Sequence, residues 1–330
     1  MTEMSVPVDV QPSVALPTFA RLYGCSEQDF AATADQMTAA WVLHDERQEA
    51  LGAIGLRPSP AHGAEVMGGA FPGPAQHAAA LTLLGAALAA QPQLYAHAET
   101  HLLPAEVLEA AGLRPVSAYT RMSGPLPTLL PTVPEGFRIV PLSGVDSLQD
   151  RLAAQETYSD LIGHTPVTHE ALQPNFGGSD DALGRVAYDA AGAPAGICRV
   201  WLQGDLAKIG SPGVRPDARA TMLRWALLLS ACEAARAAGA TRIEIDAWGD
   251  TEVQRAEDEE LGLTIDELTP IYSSSVVPQD SVEQLGGGCK RSGTYPKLAC
   301  PPTGLKRSGD GRKAVPISIR PCRAGDDRRS

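Results

Sequence analysis

Short apolar runs bounded by glycine, proline or charge recur along the chain, with two long Ala/Leu-rich stretches standing between them. Residues 40–45 and 50–57 have the composition and spacing of two strands joined across 46–49. Residues 185–189 and 195–203 repeat that pair, with a turn at 190–194. Each pair leads into another short strand and a proline-containing loop. A long helix follows, at 75–90 in the first half and 218–238 in the second. Gln91-Pro92 stops the first, and Gly239 is placed as the left-handed cap of the second. Strands at 94–99 and 241–247 come next, then a shorter helix ending in Gly112 or Gly262. Each half closes on a strand around Tyr119 or Tyr272.

Matching points in the two halves are 144 residues apart (Gly52 to Gly196), 143 (Gln76 to Arg219) and 150 (Gly112 to Gly262). A nearly constant offset is what duplication of one structural unit predicts, although two unrelated α/β units can also share an element order. The expected fold class is therefore α/β with mixed α+β sheets, in two tandem domains, each a twisted sheet flanked by helices. The Pro-rich stretch 123–136 reads as a stiff linker between a domain at 1–122 and another at 137–275. Apolar periodicity stops after Ser275, so 276–330 reads as a disordered tail. Within it, GGGCKRSGT at 286–294 imitates a phosphate loop, but Thr294 stands where the lysine belongs and no strand or helix pattern flanks it.

Composition narrows the class. With 330 residues, 44% hydrophobic and 20% charged, the chain is a globular protein long enough for two cores. The net charge is −12, yet 276–330 holds 11 Lys and Arg against 5 Asp and Glu, leaving an acidic globule that repels nucleic acid. The amino terminus has no basic start followed by an apolar run, so no signal peptide is expected. The most apolar stretch, 78–90, falls short of the roughly 20 residues a bilayer requires. The six cysteines form no close pair, and Cys198 and Cys232 fall in apolar patterns as core thiols; a reducing cytoplasm is the expected location.

The sharpest motif is GVRPDARATMLR at 213–224, which opens the second long helix. It resembles the acyl-CoA loop of the GNAT superfamily of N-acyltransferases, V-x-P-x-x-R-G-x-G-x-G, through Val214, Pro216 and Arg219. The resemblance implies two tandem GNAT-like domains, the first degenerate. It also implies acetyl-CoA as co-substrate and a small amine or peptide amine as acetyl acceptor. The cofactor-binding residues it implies are Val214, Arg219, Ala220, Thr221, Met222, Leu223 and Arg224. A helix start suits phosphate because it offers unpaired N–H donors and a partial positive charge, and Arg219 would add a charge-assisted contact.

The family's three loop glycines are replaced here by Ala220, Met222 and Arg224. Glycine lets phosphate approach bare backbone. Either Arg224 compensates by charge, or Asp217 caps a helix that starts earlier and the cradle is lost. In the first repeat Gln76 falls where the loop arginine belongs, but alanines and a leucine follow. The competing reading is a non-catalytic protein that keeps the fold to bind a ligand or partner.

Catalytic groups are fewer. Where the family often places a tyrosine, four residues before the glycine of its terminal motif, Asp258 precedes Gly262. Tyr272 is either a substitute proton donor or a packed strand residue. Glu244 and Asp246 alternate with Ile243 and Ile245 and so share one face; Asp246, nearer the loop end, is the first choice for the base that takes a proton from the incoming amine. HAETH at 97–101 places His97, Glu99 and His101 on one face if extended, but no third histidine is near and no metal is expected. His164 and His169 flank a loop before Pro174, where GNAT domains carry substrate-binding segments, but surface-loop histidines are the commoner explanation of such a position.

Overall fold

The computed structural model describes residues 5–99 and 101–275, so the reading of 276–330 as a disordered tail lies outside the described residues. The first half runs β1 (Val8–Val10), α1 (Pro12–Tyr23), α2 (Glu27–Ala34), β2 (Ala39–His44), β3 (Ala50–Ser59), β4 (Gly63–Ala70), α3 (Gln76–Ala90), β5 (Leu94–His97), α4 (Ala105–Ala110) and β6 (Arg114–Pro125). The second runs β7 (Arg138–Pro141), α5 (Leu148–Gln155), β8 (Arg185–Tyr188), β9 (Pro194–Cys198), β10 (Val200–Gln203), β11 (Leu206–Gly210), β12 (Gly213–Val214), α6 (Leu223–Ala237), β13 (Arg242–Trp248), α7 (Glu252–Glu260) and β14 (Thr264–Ser273). The architecture is mixed α/β, as the apolar pattern predicts.

Two cores form where each long helix lies on its sheet. Leu83, Leu84 and Ala87 of α3 pack with Ile54, Val66, Leu94 and Ala96. Leu227, Leu228, Ala231 and Cys232 of α6 pack with Ile243 and Ile245. Strand alternation sends these apolar residues to the helix face, leaving Glu65, Tyr95, His97, Glu244, Asp246 and Trp248 on the other.

The sheets join in a way the repeat pattern does not foretell. One ten-stranded sheet has the order β1-β2-β3-β4-β5-β14-β6-β13-β11-β10, and a four-stranded sheet has the order β12-β9-β8-β7. The last strands of the two halves are exchanged. β14 pairs with β5, bringing Tyr272 opposite Ala96, and β6 pairs with β13, bringing Tyr119 opposite Trp248. β6 and β14 also pair with each other, with Thr269 opposite Tyr119. Separating the halves would break three ladders, so they form one structural body.

The exchange also anchors the Pro-rich stretch. Ser123, Gly124 and Pro125 lie opposite Glu244, Ile243 and Arg242, and the Leu126 amide donates to the Thr241 carbonyl at 2.9 Å. The unpaired connection therefore starts after Leu126 rather than at 123. The second long helix also differs, starting at Leu223 and not at 218. A 3-10 turn at Pro216–Ala218 comes first, and Thr221 closes it by donating its hydroxyl to the Ala218 carbonyl at 2.7 Å and accepting from the Leu223 amide.

Candidate functional site

Each half contains a place where two parallel strands part. β4 and β5 pair only from Ala64–Leu94 to Val66–Ala96, and β4 then continues to Ala70 alone on that side. β11 and β13 pair up to Gly210–Asp246, with one further bond from the Ser211 amide to the Asp246 carbonyl at 2.9 Å. Pro212 then turns the chain away, and β12 joins β9 in the other sheet. A parting of this kind leaves backbone groups on its inner edge without a strand partner, so where those groups go decides what the cleft can do.

The two clefts are in register and have different fates. Ala70 lies opposite Gly52, and Val214 lies opposite Gly196, both pairs separated by the 144-residue offset. The next amides bond outward in the same way: Phe71 to the Leu51 carbonyl at 2.9 Å, and Arg215 to the Ala195 carbonyl at 2.9 Å. Antiparallel alternation then turns the amides of Ala70 and Val214 inward, into the clefts. In the first half that position is filled: the Ala70 amide donates to the Leu102 carbonyl at 3.1 Å. A Cβ on Gly69 would stand 2.3 Å from the same oxygen, so only glycine lets the segment come so close. In the second half no segment of the described chain takes the Val214 amide.

The entry to α6 lies beside this open edge. Met222 occupies the cap position, makes no capping bond of its own and is exposed, and only the Leu223 amide is taken, by the Thr221 hydroxyl. The Arg219, Ala220 and Met222 side chains are turned to the surface. Arg224 faces the opposite way. It is buried, with Nη2 at 3.0 Å from Asp250 and 2.8 Å from Asp258, and it donates to the Ser211 hydroxyl at 3.2 Å. Arg224 is therefore an interior group holding α6 to α7 and to the start of the cleft, and its charge is spent on two carboxylates. Asp258 is fully buried in the same contact and does not face a leaving group.

Arg219 is engaged as well. Both terminal nitrogens grip the Asp160 carboxylate, at 2.7 and 2.5 Å, while Nε donates to the Val214 carbonyl at 2.9 Å and Nη2 to the Thr157 carbonyl. Burial works to raise the Asp160 pKa, but the Arg219 contact outweighs it and holds the carboxyl below its usual range. The loop that carries Asp160 lies against the cleft. The Tyr158 ring sits where a Gly213 side chain would be, and Ile162 presents its carbonyl 2.5 Å from the Cβ position of Gly249. His62 of the first half contacts the Asp160 carbonyl at 2.8 Å.

On the polar face, Asp246 accepts from the Tyr119 hydroxyl at 2.7 Å, and the Tyr119 ring lies 4.3 Å from that of Trp248. Burial and the Asp246 charge push the Tyr119 phenol well up, so it stays protonated and presents its proton to Asp246. Glu244 is instead paired with Lys208 at 2.9 Å. Tyr272 belongs elsewhere. Its ring packs in the first-half core and its hydroxyl donates to Glu109 at 3.1 Å. The exchanged strands explain the difference, since Tyr119, the counterpart of Tyr272 in the repeat, is the tyrosine delivered to Asp246. Reading the two halves as separate units hides that substitution.

The remaining sequence candidates are scattered. His164 lies under the Tyr158 ring at 4.5 Å, and His169 is exposed beside Gln173. His97 is buried on the first-half sheet, while His101 lies in the turn after it, 3.8 Å from Glu99. No three His, Cys, Asp or Glu side chains converge as metal ligands among the described residues. Gln76 donates to the His101 carbonyl at 3.0 Å, fastening the segment that closes the first cleft.

No family model and no curated protein matches the sequence. Solved structures do match. A GCN5-related N-acetyltransferase from Anabaena variabilis aligns over 83% of this chain and 72% of its own, with a TM-score of 0.51 and 11% identity. A GCN5-related N-acetyltransferase from Sphaerobacter thermophilus aligns over 82% and 94%, at a TM-score of 0.48 and 20% identity. A tandem GNAT protein from the clavulanic acid biosynthesis pathway aligns over 83% and 99%, at 0.49 and 17%.

Proposed function

We propose that the chain, which has the fold of the GCN5-related N-acetyltransferases built on a ten-stranded and a four-stranded sheet, is an acyl-CoA-dependent N-acyltransferase whose donor cleft lies in the second half. Acetyl-CoA is the donor and a primary amine the acceptor. The observation that carries this reading is the pair of matched amides: Ala70 is taken by the chain's own Leu102 carbonyl, whereas the Val214 amide, on the inner side of β12, has no such partner among the described residues. An extended amide-bearing arm, as in the pantetheine of an acyl-CoA, can bond there as a strand would.

The diphosphate would meet the start of α6, where the backbone amides beyond Leu223, whose own N–H goes to Thr221, offer donors and a partial positive charge. Arg219 stands at that entrance. The Asp160 carboxylate on it mimics a phosphate, so donor binding exchanges one anion for another. With the thioester at the parting of β11 and β13, Asp246 is placed to take the proton from the acceptor ammonium. The free amine then attacks the thioester carbon, the C–S bond breaks, and the proton shed by the new amide nitrogen passes to the departing thiolate, so that the free thiol leaves. Tyr119 holds Asp246 by its hydroxyl proton and fixes the orientation of the carboxylate.

Calorimetric titration with acetyl-CoA tests the reading. Binding to the unmodified protein is expected, and Asp160→Asn should bind about two- to fivefold tighter, since the half-exposed pair it removes is worth under about 1 kcal/mol. No binding by either protein would remove the donor site. Equal affinity would show that Asp160 does not compete for Arg219.

A further inference from the structure

Lys208 is the only lysine between residues 5 and 275; Lys290, Lys297, Lys306 and Lys313 lie outside the described residues. It stands on β11 directly opposite Glu244, with its ammonium 2.9 Å from that carboxylate. Two residues further on, Gly210 lies opposite Asp246, and the strands then part. These four residues alternate with Ile209, Ile243 and Ile245 of the core, so all four belong to the polar face. Lys208 is therefore one pleat repeat, roughly 7 Å, from the parting.

That interval is open. Gly210 has no side chain, and a Cβ built there would meet only the Trp201 indole, at 3.9 Å, among the described residues. Trp201 lies opposite Lys208 and donates its indole N–H to the Gly177 carbonyl at 3.0 Å, so it walls the path without filling it. The Lys208 side chain is 35% exposed and that of Glu244 19%. A pair so open to water holds its ammonium weakly. The flexible four-carbon stem of lysine spans a distance comparable with the interval, so the amine can swing from Glu244 towards Asp246.

We infer that Lys208 is a self-modification site, whose ε-amine takes the acetyl group from the donor bound to its own chain. The inference rests on the donor cleft proposed above and adds an acceptor built into the protein. Asp246 takes a proton from the Lys208 ammonium, and the neutral amine attacks the thioester carbon. The C–N bond forms and the C–S bond breaks. The proton shed by the new amide nitrogen passes to the departing thiolate, and the proton on Asp246 is released to water. The products are Nε-acetyl-lysine and a free thiol.

Modification changes the face on which it occurs. Acetylated Lys208 has no charge to offer Glu244, and its amide lies over Gly210, in the path of an external amine. The reaction stops at one acetyl group on the described body, because no second lysine is present there.

The experiment is mass spectrometry of the full chain after incubation with acetyl-CoA, intact and after proteolysis, beside calorimetric titration of the same sample. Lys208 should gain one acetyl group at a rate that saturates with acetyl-CoA and is unchanged when the protein is diluted, because donor and amine share one chain. Asp246→Asn should slow the modification at least about tenfold. Lys208→Arg keeps a cation for Glu244, and should lose the label while binding acetyl-CoA as before. Acetyl-CoA bound without a label on Lys208 would overturn the inference and leave the proposed function standing. A label confined to the other four lysines, a rate that rises with protein concentration, or an undiminished rate in Asp246→Asn would also overturn it. No binding of acetyl-CoA would remove the donor site and the modification together.

Discussion

Arg224→Ala should lower the stability of the protein by about 3–5 kcal/mol, one of the largest effects of any single substitution. The guanidinium is buried between Asp250 and Asp258, with Glu257 at 3.6 Å, and donates to Ser211. Removing it leaves two carboxylates in the interior with no cation, and an unpaired buried charge costs more than the pair gains. For a body of this size the expected fall in melting temperature is about 10 °C. Arg224→Met combined with Asp258→Leu and Asp250→Asn should recover much of that loss, because the buried charges are then removed together rather than left unpaired. A loss below about 1 kcal/mol for Arg224→Ala would show that the contact does not organise α6 and α7.

Asp246→Asn should reduce kcat/KM for acetyl transfer by about 10²–10⁴ while leaving acetyl-CoA affinity within about twofold. The amide keeps the size of the carboxylate and a hydrogen bond with Tyr119 but cannot accept the ammonium proton. Tyr119→Phe should cost less, since it releases Asp246 without removing it. Measured over an amine panel by thiol release, equal rates for Asp246→Asn and the unmodified protein would remove Asp246 from the chemistry. Donor binding with no turnover of any amine in either protein would favour a ligand-binding role for the fold.

Much of the architecture is readable from local pattern. The alternation Ile243-Glu244-Ile245-Asp246 announces a strand with one core face, and Gly112, Gly239 and Gly262 do adopt positive φ where the helices end. α2 was also open to reading, because Ser26 and Asp29 form a capping box. What pattern does not hold is partner choice. β6 and β14 have the same character, so nothing local says that β14 pairs with β5 and β6 with β13. That choice moved Tyr272 into the first-half core and delivered Tyr119 to Asp246.

Side-chain direction was the other blind spot. Arg219 and Arg224 look alike in the loop, yet one lies at the entrance and the other inside, because Arg219 ends the 3-10 turn while Arg224 already belongs to α6. Asp258 seemed a misplaced catalytic position only until its partner, Arg224, was known. The fate of the first cleft was likewise hidden, since the closing group is a backbone carbonyl, that of Leu102, which no side-chain motif records.

The central claim is that the inward amide of Val214 is free and receives the donor. Amide hydrogen exchange read by NMR at this residue tests it directly. Without ligand, the Val214 amide should exchange much faster than that of Ala70, and saturating acetyl-CoA should slow it at least about tenfold while Ala70 stays unchanged. A Val214 amide already as protected as Ala70, or one unmoved by saturating donor, would contradict the account.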